Sequence, residues 1–187
     1  RVAQELAADM AQDLPMLRLV QGDVGSGKTL VAARAALDTI GAGYQVAFMA
    51  PTELLAEQHH ANLSAWFEPV EQPVAWLSGR TKGKARATIL RKLASGRVPI
   101  VVGTHALFQD DIEFKNLGLI VVDEQHRFGV HQRLSLAEKG SDEMHPHQLA
   151  LTATPIPRSL AMVAYGDLDC SVIDELPPGR QPVTTTL

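Results

Sequence analysis

Residues 22–29 read Gly22-Asp23-Val24-Gly25-Ser26-Gly27-Lys28-Thr29, and this octapeptide constrains the chain more than any other feature. It stands between an apolar run, Leu17–Gln21, and a helical pattern that starts at Lys28 and runs to Ile40. Glycines let consecutive backbone amides turn inward around phosphate oxygens, and the helix that follows aims its positive end at the same point. In such a loop Lys28 reaches the β- and γ-phosphates of a nucleotide and the Thr29 hydroxyl ligates Mg²⁺. The strand before and the helix after separate this pattern from an accidental glycine-rich turn. Alone, the loop says only that a nucleoside triphosphate binds, which covers kinases, transporters, GTPases and motors.

The rest of the chain repeats the strand-then-helix rhythm. Apolar runs rich in Val, Ile and Leu predict strands at Leu17–Gln21, Gln45–Ala50, Val74–Leu77, Ile100–Gly103, Leu119–Asp123, Leu149–Thr152 and Ser171–Asp174. Helical patterns predict helices at Lys28–Ile40, Glu53–Trp66, Lys84–Ala94, His131–Glu138 and Arg158–Ala164, after an N-terminal helix with Val2, Leu6, Ala7 and Met10 on one face. Continuous rather than alternating apolar strands indicate burial on both faces. The expected fold is therefore α/β, a mostly parallel sheet with helices on both sides, which binds ligands at the carboxyl ends of its strands.

At 187 residues, 45% hydrophobic and 20% charged, the chain suits one large globular domain. Residues 1–176 are assigned to that domain, and 177–187 to a Pro- and Gly-bearing linker and the start of a further lobe. The opening helix has no capping start, so both ends are expected to be cut. A single cysteine, Cys170, excludes an internal disulfide and a multi-cysteine zinc site, and it fits a reducing cytosol. Arg1–Met16 holds Glu5, Asp9 and Asp13 and no continuous apolar run, so neither a signal peptide nor a membrane span is expected there.

A second motif narrows the class. Asp123-Glu124-Gln125-His126 ends the apolar run Leu119-Ile120-Val121-Val122. A carboxylate there can hold Mg²⁺ and the next one can polarise an attacking water, so Asp123 is the metal candidate and Glu124 the general-base candidate. With the phosphate loop, this pair resembles the superfamily-2 DNA helicases. Ala50-Pro51-Thr52-Glu53-Leu54-Leu55 and Gly103-Thr104-His105-Ala106-Leu107 resemble their motifs Ia and Ib, and Thr152-Ala153-Thr154-Pro155 resembles motif III. The strings around residues 20–29, 123–130, 152–158 and 173–180 resemble the branched-DNA members. The related transcription-repair translocases typically carry Phe where this chain has Ser26 and Glu where it has Gln125.

The resemblance implies a RecA-like motor lobe, with ATP and Mg²⁺ as cofactors on residues 22–29 and Asp123. It implies nucleic-acid backbone contacts at Pro51, Thr52, Gly103 and Thr104. Coupling of nucleotide state to DNA would run through His126, Thr152 and Thr154, and hydrolysis through Lys28, Asp123 and Glu124. It implies a monomeric, cytoplasmic, bacterial enzyme that remodels stalled forks and Holliday junctions on branched or duplex DNA. A second helicase lobe and an N-terminal wedge domain of the same full-length chain would be its partners. These helicases take a transition-state arginine from the second lobe, so the 187 residues alone are expected to bind ATP weakly and hydrolyse it poorly.

Local charge supports a nucleic-acid partner where the net charge of −4 does not. Residues 80–97 hold Arg80, Lys82, Lys84, Arg86, Arg91, Lys92 and Arg97 and no acid, a cluster that suits sequence-independent phosphate contact. The alternative reading is a solvated basic helix face. The pairs His59–His60, His126–His131 and His145–His147 have no cysteine companions, so no zinc site is expected. Trp66 and Trp76 are read as core or interface residues.

Overall fold

The computed structural model describes residues 1–124, 145–154 and 168–174. The helices expected at 131–138 and 158–164, and the tail at 177–187, lie outside the described residues, as does His126.

Seven strands form one sheet: β1 (Leu17–Gly22), β2 (Gln45–Met49), β3 (Val74–Leu77), β4 (Ile100–Gly103), β5 (Leu117–Asp123), β6 (His147–Thr152) and β7 (Asp169–Ile173). Every pairing is parallel, in the order β3-β4-β2-β5-β6-β1-β7. Among the described residues four α-helices accompany them: α1 (Val2–Met10), α2 (Lys28–Gly41), α3 (Glu53–Phe67) and α4 (Gly83–Ala94).

The central strands β2, β4 and β5 are buried at every position, as their unbroken apolar runs predict. Successive side chains of a strand point to opposite faces, and the core divides accordingly. Val46, Phe48, Val102, Leu119 and Val121 pack beneath α1, α2 and α3. Ala47, Met49, Val101, Ile120 and Val122 pack with Leu93 of α4 on the other face. Four buried alanines of α2 (Ala32, Ala33, Ala35 and Ala36) leave room for its backbone to approach the sheet closely. In α3 the buried stripe is Ala56, His59, Leu63 and Phe67, one helical turn apart each time.

Several expectations shift by a residue or two. β5 starts at Leu117 rather than Leu119, β7 occupies Asp169–Ile173 rather than 171–174, and α4 starts at Gly83. In α1, Val2 and Leu6 are buried, but Ala7 faces outward, one position off the buried stripe.

At the amino ends of the strands, the Gln45 side chain donates to the Leu93 and Val98 carbonyls and accepts from the Lys115 and Asn116 amides. One buried amide thus ties together the loops that precede β4 and β5. Along the other edge Arg18 bonds Asp9 of α1 and Ser171 of β7, joining helix, first strand and last strand.

Candidate nucleotide and nucleic-acid site

Strand register brings the motifs to one edge. Gln21 of β1 lies opposite Thr152 of β6, and Leu151 of β6 lies opposite Asp123 of β5. The phosphate loop, the Asp123-Glu124 pair and Thr152 therefore end three adjacent strands on the carboxyl side of the sheet, where a parallel sheet receives its ligand.

The loop is built for backbone donation. Gly25 and Gly27 have φ of 83° and 92°, left-handed values that a side chain would oppose. Gly27 is the N-cap of α2, so the first turn of that helix opens toward the loop. Lys28 folds back over it, donating from Nζ to the Gly22 carbonyl at 2.6 Å and the Asp23 carbonyl at 2.8 Å. Burial holds its amine below the usual lysine range, against the opposing pull of Asp123, Glu124 and Asp23. The Ser26 hydroxyl is buried with no hydrogen-bond partner, a donor left over inside the cradle. Thr29 is half-buried in the first turn of α2, and Val24 is exposed at the loop tip.

Asp123 is buried, and each carboxylate oxygen has a partner. Oδ1 accepts from the Glu124 amide at 3.0 Å, and Oδ2 lies 2.6 Å from His59 Nε2. Glu124 has φ of 52°, a left-handed conformation that costs a non-glycine residue roughly 1–3 kcal/mol and concentrates at functional sites. The residue with this strained backbone is the one expected to activate water.

A nucleotide with a divalent cation fits this donor set. The orphaned Ser26 hydroxyl, the inward glycine loop and an amine held only by carbonyls can serve phosphate oxygens. Asp123 and Glu124 supply the carboxylates that such a cation uses beside phosphate and water. Among the described residues no group of three or more His, Cys, Asp and Glu side chains could hold a metal by itself.

The residues expected to touch nucleic acid separate into groups. Thr52 is exposed and caps α3, its hydroxyl accepting from the Leu55 amide at 3.3 Å, with Pro51 half-buried before it. Gly103 is buried, and Thr104 is only 2% exposed with its hydroxyl enclosed, so that side chain cannot reach a phosphate as it stands. His105 is the neighbour that faces outward. Lys82 and Lys84 are exposed, and Arg80 is exposed while pairing with Glu53 at 2.8 Å. Arg86 departs from expectation: its guanidinium bonds both Asp111 oxygens and Gln109, one acid and one amide from outside the basic run. It anchors α4 rather than presenting charge. Glu53, Glu57, Trp76, Ser78, Arg80 and Thr81 line a cleft of about 550 Å³ at this end of α3.

Thr152 is fully buried, and its hydroxyl accepts from the Thr154 amide at 3.1 Å, while Thr154 itself is exposed. Trp76 packs against the core and edge-on to His60, and Trp66 is partly exposed. His59, which bonds Asp123, is the contact to this site that the sequence left among unassigned histidine pairs. Its place on the Ala56-His59-Leu63-Phe67 stripe is the signal that marks it as inward-facing.

This fold, with a glycine cradle and an acidic pair on one sheet edge, defines a phosphate-loop nucleotide-binding lobe. The chain belongs to the DEAD/DEAH box helicase family, whose sequence model matches residues 3–163. Within that class it is 66% identical over 186 residues to the ATP-dependent DNA helicase RecG of Escherichia coli O157:H7, covering 99% of this chain and 27% of that protein. It is 65% identical over 186 residues to the RecG of Pasteurella multocida (strain Pm70), with the same coverage of 99% and 27%. A structure of RecG bound to a three-way DNA junction superposes with a TM-score of 0.83 at 48% identity, covering 98% of this chain and 24% of that one. The chain thus spans about a quarter of the length of these relatives. Among the described residues no helix is long and apolar enough to cross a membrane.

Proposed function

We propose that this chain is the ATP-binding motor lobe of a DNA helicase that remodels branched DNA, coupling MgATP hydrolysis to movement along duplex. The observation that carries the reading is the convergence of the phosphate loop, Asp123-Glu124 and Thr152 on adjacent strand ends, in a chain 66% identical to a RecG helicase. The junction-bound RecG structure supports branched DNA as the substrate class.

The chemistry follows from these residues. Entering phosphate oxygens accept from the amides of residues 25–29 and from the Ser26 hydroxyl, and Lys28 exchanges two carbonyl acceptors for phosphate. Mg²⁺, held through Asp123 and Thr29, would neutralise charge between the terminal phosphates. Glu124 takes the proton of the attacking water. Thr52 and the exposed Lys82 and Lys84 face the nucleic-acid side and contact backbone phosphates, a sequence-independent grip that suits translocation. Thr154 lies beside the nucleotide edge, on a segment whose turn is closed by Thr152, and relays nucleotide state.

The test compares ATPase of the full-length enzyme on forked, duplex and single-stranded DNA. Forked DNA is expected to stimulate most, and Lys28→Ala to lower the rate by about 10²–10³-fold, the scale of one lost transition-state donor. The 187 residues alone are expected to turn over slowly, because the arginine that a second lobe contributes is worth ~10³–10⁵ in rate. Motor-like, fork-stimulated ATPase from these residues alone contradicts that last expectation, and stimulation by RNA polymerase in place of branched DNA overturns the branched-DNA reading.

A further inference from the structure

His59 is absent from the motifs that identify this lobe, yet it touches the proposed metal carboxylate. Its Nε2 lies 2.6 Å from Asp123 Oδ2, and the two residues are 8% and 9% exposed. A carboxylate oxygen only accepts, so the ring proton sits on Nε2 and His59 donates. Nδ1 is buried without a partner. A histidine selected only to fill a core normally satisfies both nitrogens, since an orphaned polar atom is costly. Here one nitrogen is left unpaired and the other is spent on Asp123. Phe48 packs against the imidazole in a tilted arrangement, with ring centroids 4.8 Å apart and 46° between the planes.

Two consequences follow for Asp123. With Oδ2 bound by His59 and Oδ1 by the Glu124 amide, the carboxylate is fixed in one rotamer. The lone pairs that remain are the ones available to a cation. The second consequence comes from the helix that carries His59. α3 begins at its cap, Thr52, seven residues before His59, so the surface cap and the buried imidazole are about 10 Å apart along one rigid rod. A shift of α3 of about 1 Å stretches a 2.6 Å contact beyond hydrogen-bonding range.

We propose that His59 is a positioning residue that sets the Asp123 carboxylate and makes α3 a mechanical link between nucleic-acid contact at Thr52 and the cation end of the site. This rests on the motor-lobe reading above.

The test uses the full-length helicase and binding of a fluorescent ADP analogue, titrated with Mg²⁺ and repeated in chelator, with and without forked DNA. His59→Leu removes the donor, and His59→Gln returns an N–H near the position of Nε2. His59→Leu is expected to raise the Mg²⁺ concentration at half-saturation by about 10–100-fold, the range for lost partners of metal ligands. It leaves analogue binding in chelator and DNA affinity without nucleotide unchanged, and it abolishes the effect of DNA on Mg²⁺-dependent binding. His59→Gln restores most of both. A half-saturation within about 2-fold of the parent in His59→Leu overturns the proposal, as does a His59→Gln variant no better than His59→Leu at equal melting temperature. If His59→Leu does not fold, His59→Gln decides alone: parent-like binding and DNA response support the link, and loss of either with an unchanged melting temperature sinks it. A parent enzyme with no Mg²⁺-dependent nucleotide binding at all refutes the motor-lobe reading itself, and the proposal falls with it.

Discussion

Gln45 offers the sharpest test of what holds the sheet in register. Its side chain is 4% exposed and makes four hydrogen bonds, two given to carbonyls and two taken from amides, at 2.8–3.1 Å. Gln45→Leu keeps the volume and deletes all four. At about 1 kcal/mol net per bond the loss is about 4 kcal/mol. Two corrections reduce it. The Leu93 carbonyl keeps the Gly96 amide, so it is not orphaned. The leucine also gains about 1 kcal/mol from apolar burial. The expected cost is about 3 kcal/mol. With a urea m-value of about 3 kcal/mol/M for a chain of this size, the unfolding midpoint falls by about 1 M at unchanged m. Far-UV circular dichroism against urea reads this directly. A midpoint lowered by less than about 0.3 M would refute the claim that this amide pins the loops before β4 and β5.

Two further outcomes are expected. A Cβ built on Gly103 would sit 2.2 Å from the Leu77 backbone carbonyl, so Gly103→Ala should force β3 from β4, cost about 3 kcal/mol and speed hydrogen exchange selectively in β3; unchanged exchange there contradicts the close approach. His147 accepts from the Met16 amide through Nδ1, and burial holds its pKa below the usual histidine value against the pull of Asp9. The unfolded chain therefore takes up this proton first, so the stabilisation is full above about pH 6.5 and declines as pH falls below it. His147→Gln should lose less stability than the parent between about pH 7.5 and about pH 5.5, measured by urea midpoints.

The fold was legible because its signals are local. β3 and β4 fall on the predicted residues, and the central strands are buried throughout, because parallel strands covered on both sides need unbroken apolar runs. The phosphate loop was legible for a similar reason: positive φ at Gly25 and Gly27 is a demand on residue type at fixed spacing. What local pattern could not supply was pairing at long range. Arg86 read as part of a phosphate-contacting cluster because its acid, Asp111, lies 25 residues away, beyond β4. Thr104 looked available because a motif says nothing of burial, and the fold leaves it only 2% exposed. His59 was readable as buried from its helical stripe, but its partner, Asp123, is 64 residues distant.

The position of β1 has a consequence for how such a chain is made. The strand that carries the phosphate loop neighbours only β6 and β7, with Gly22 beside Ile173. β2, β3 and β4 lie within residues 45–103 and pair among themselves. On a ribosome adding about 5–20 residues per second, the loop strand is synthesised roughly 8–30 s before its last neighbour. The nascent half-sheet can form while β1, an apolar strand with both edges unpaired, waits for partners. That interval, with transiently unpaired strand edges, is when holdase chaperones have most reason to engage the chain.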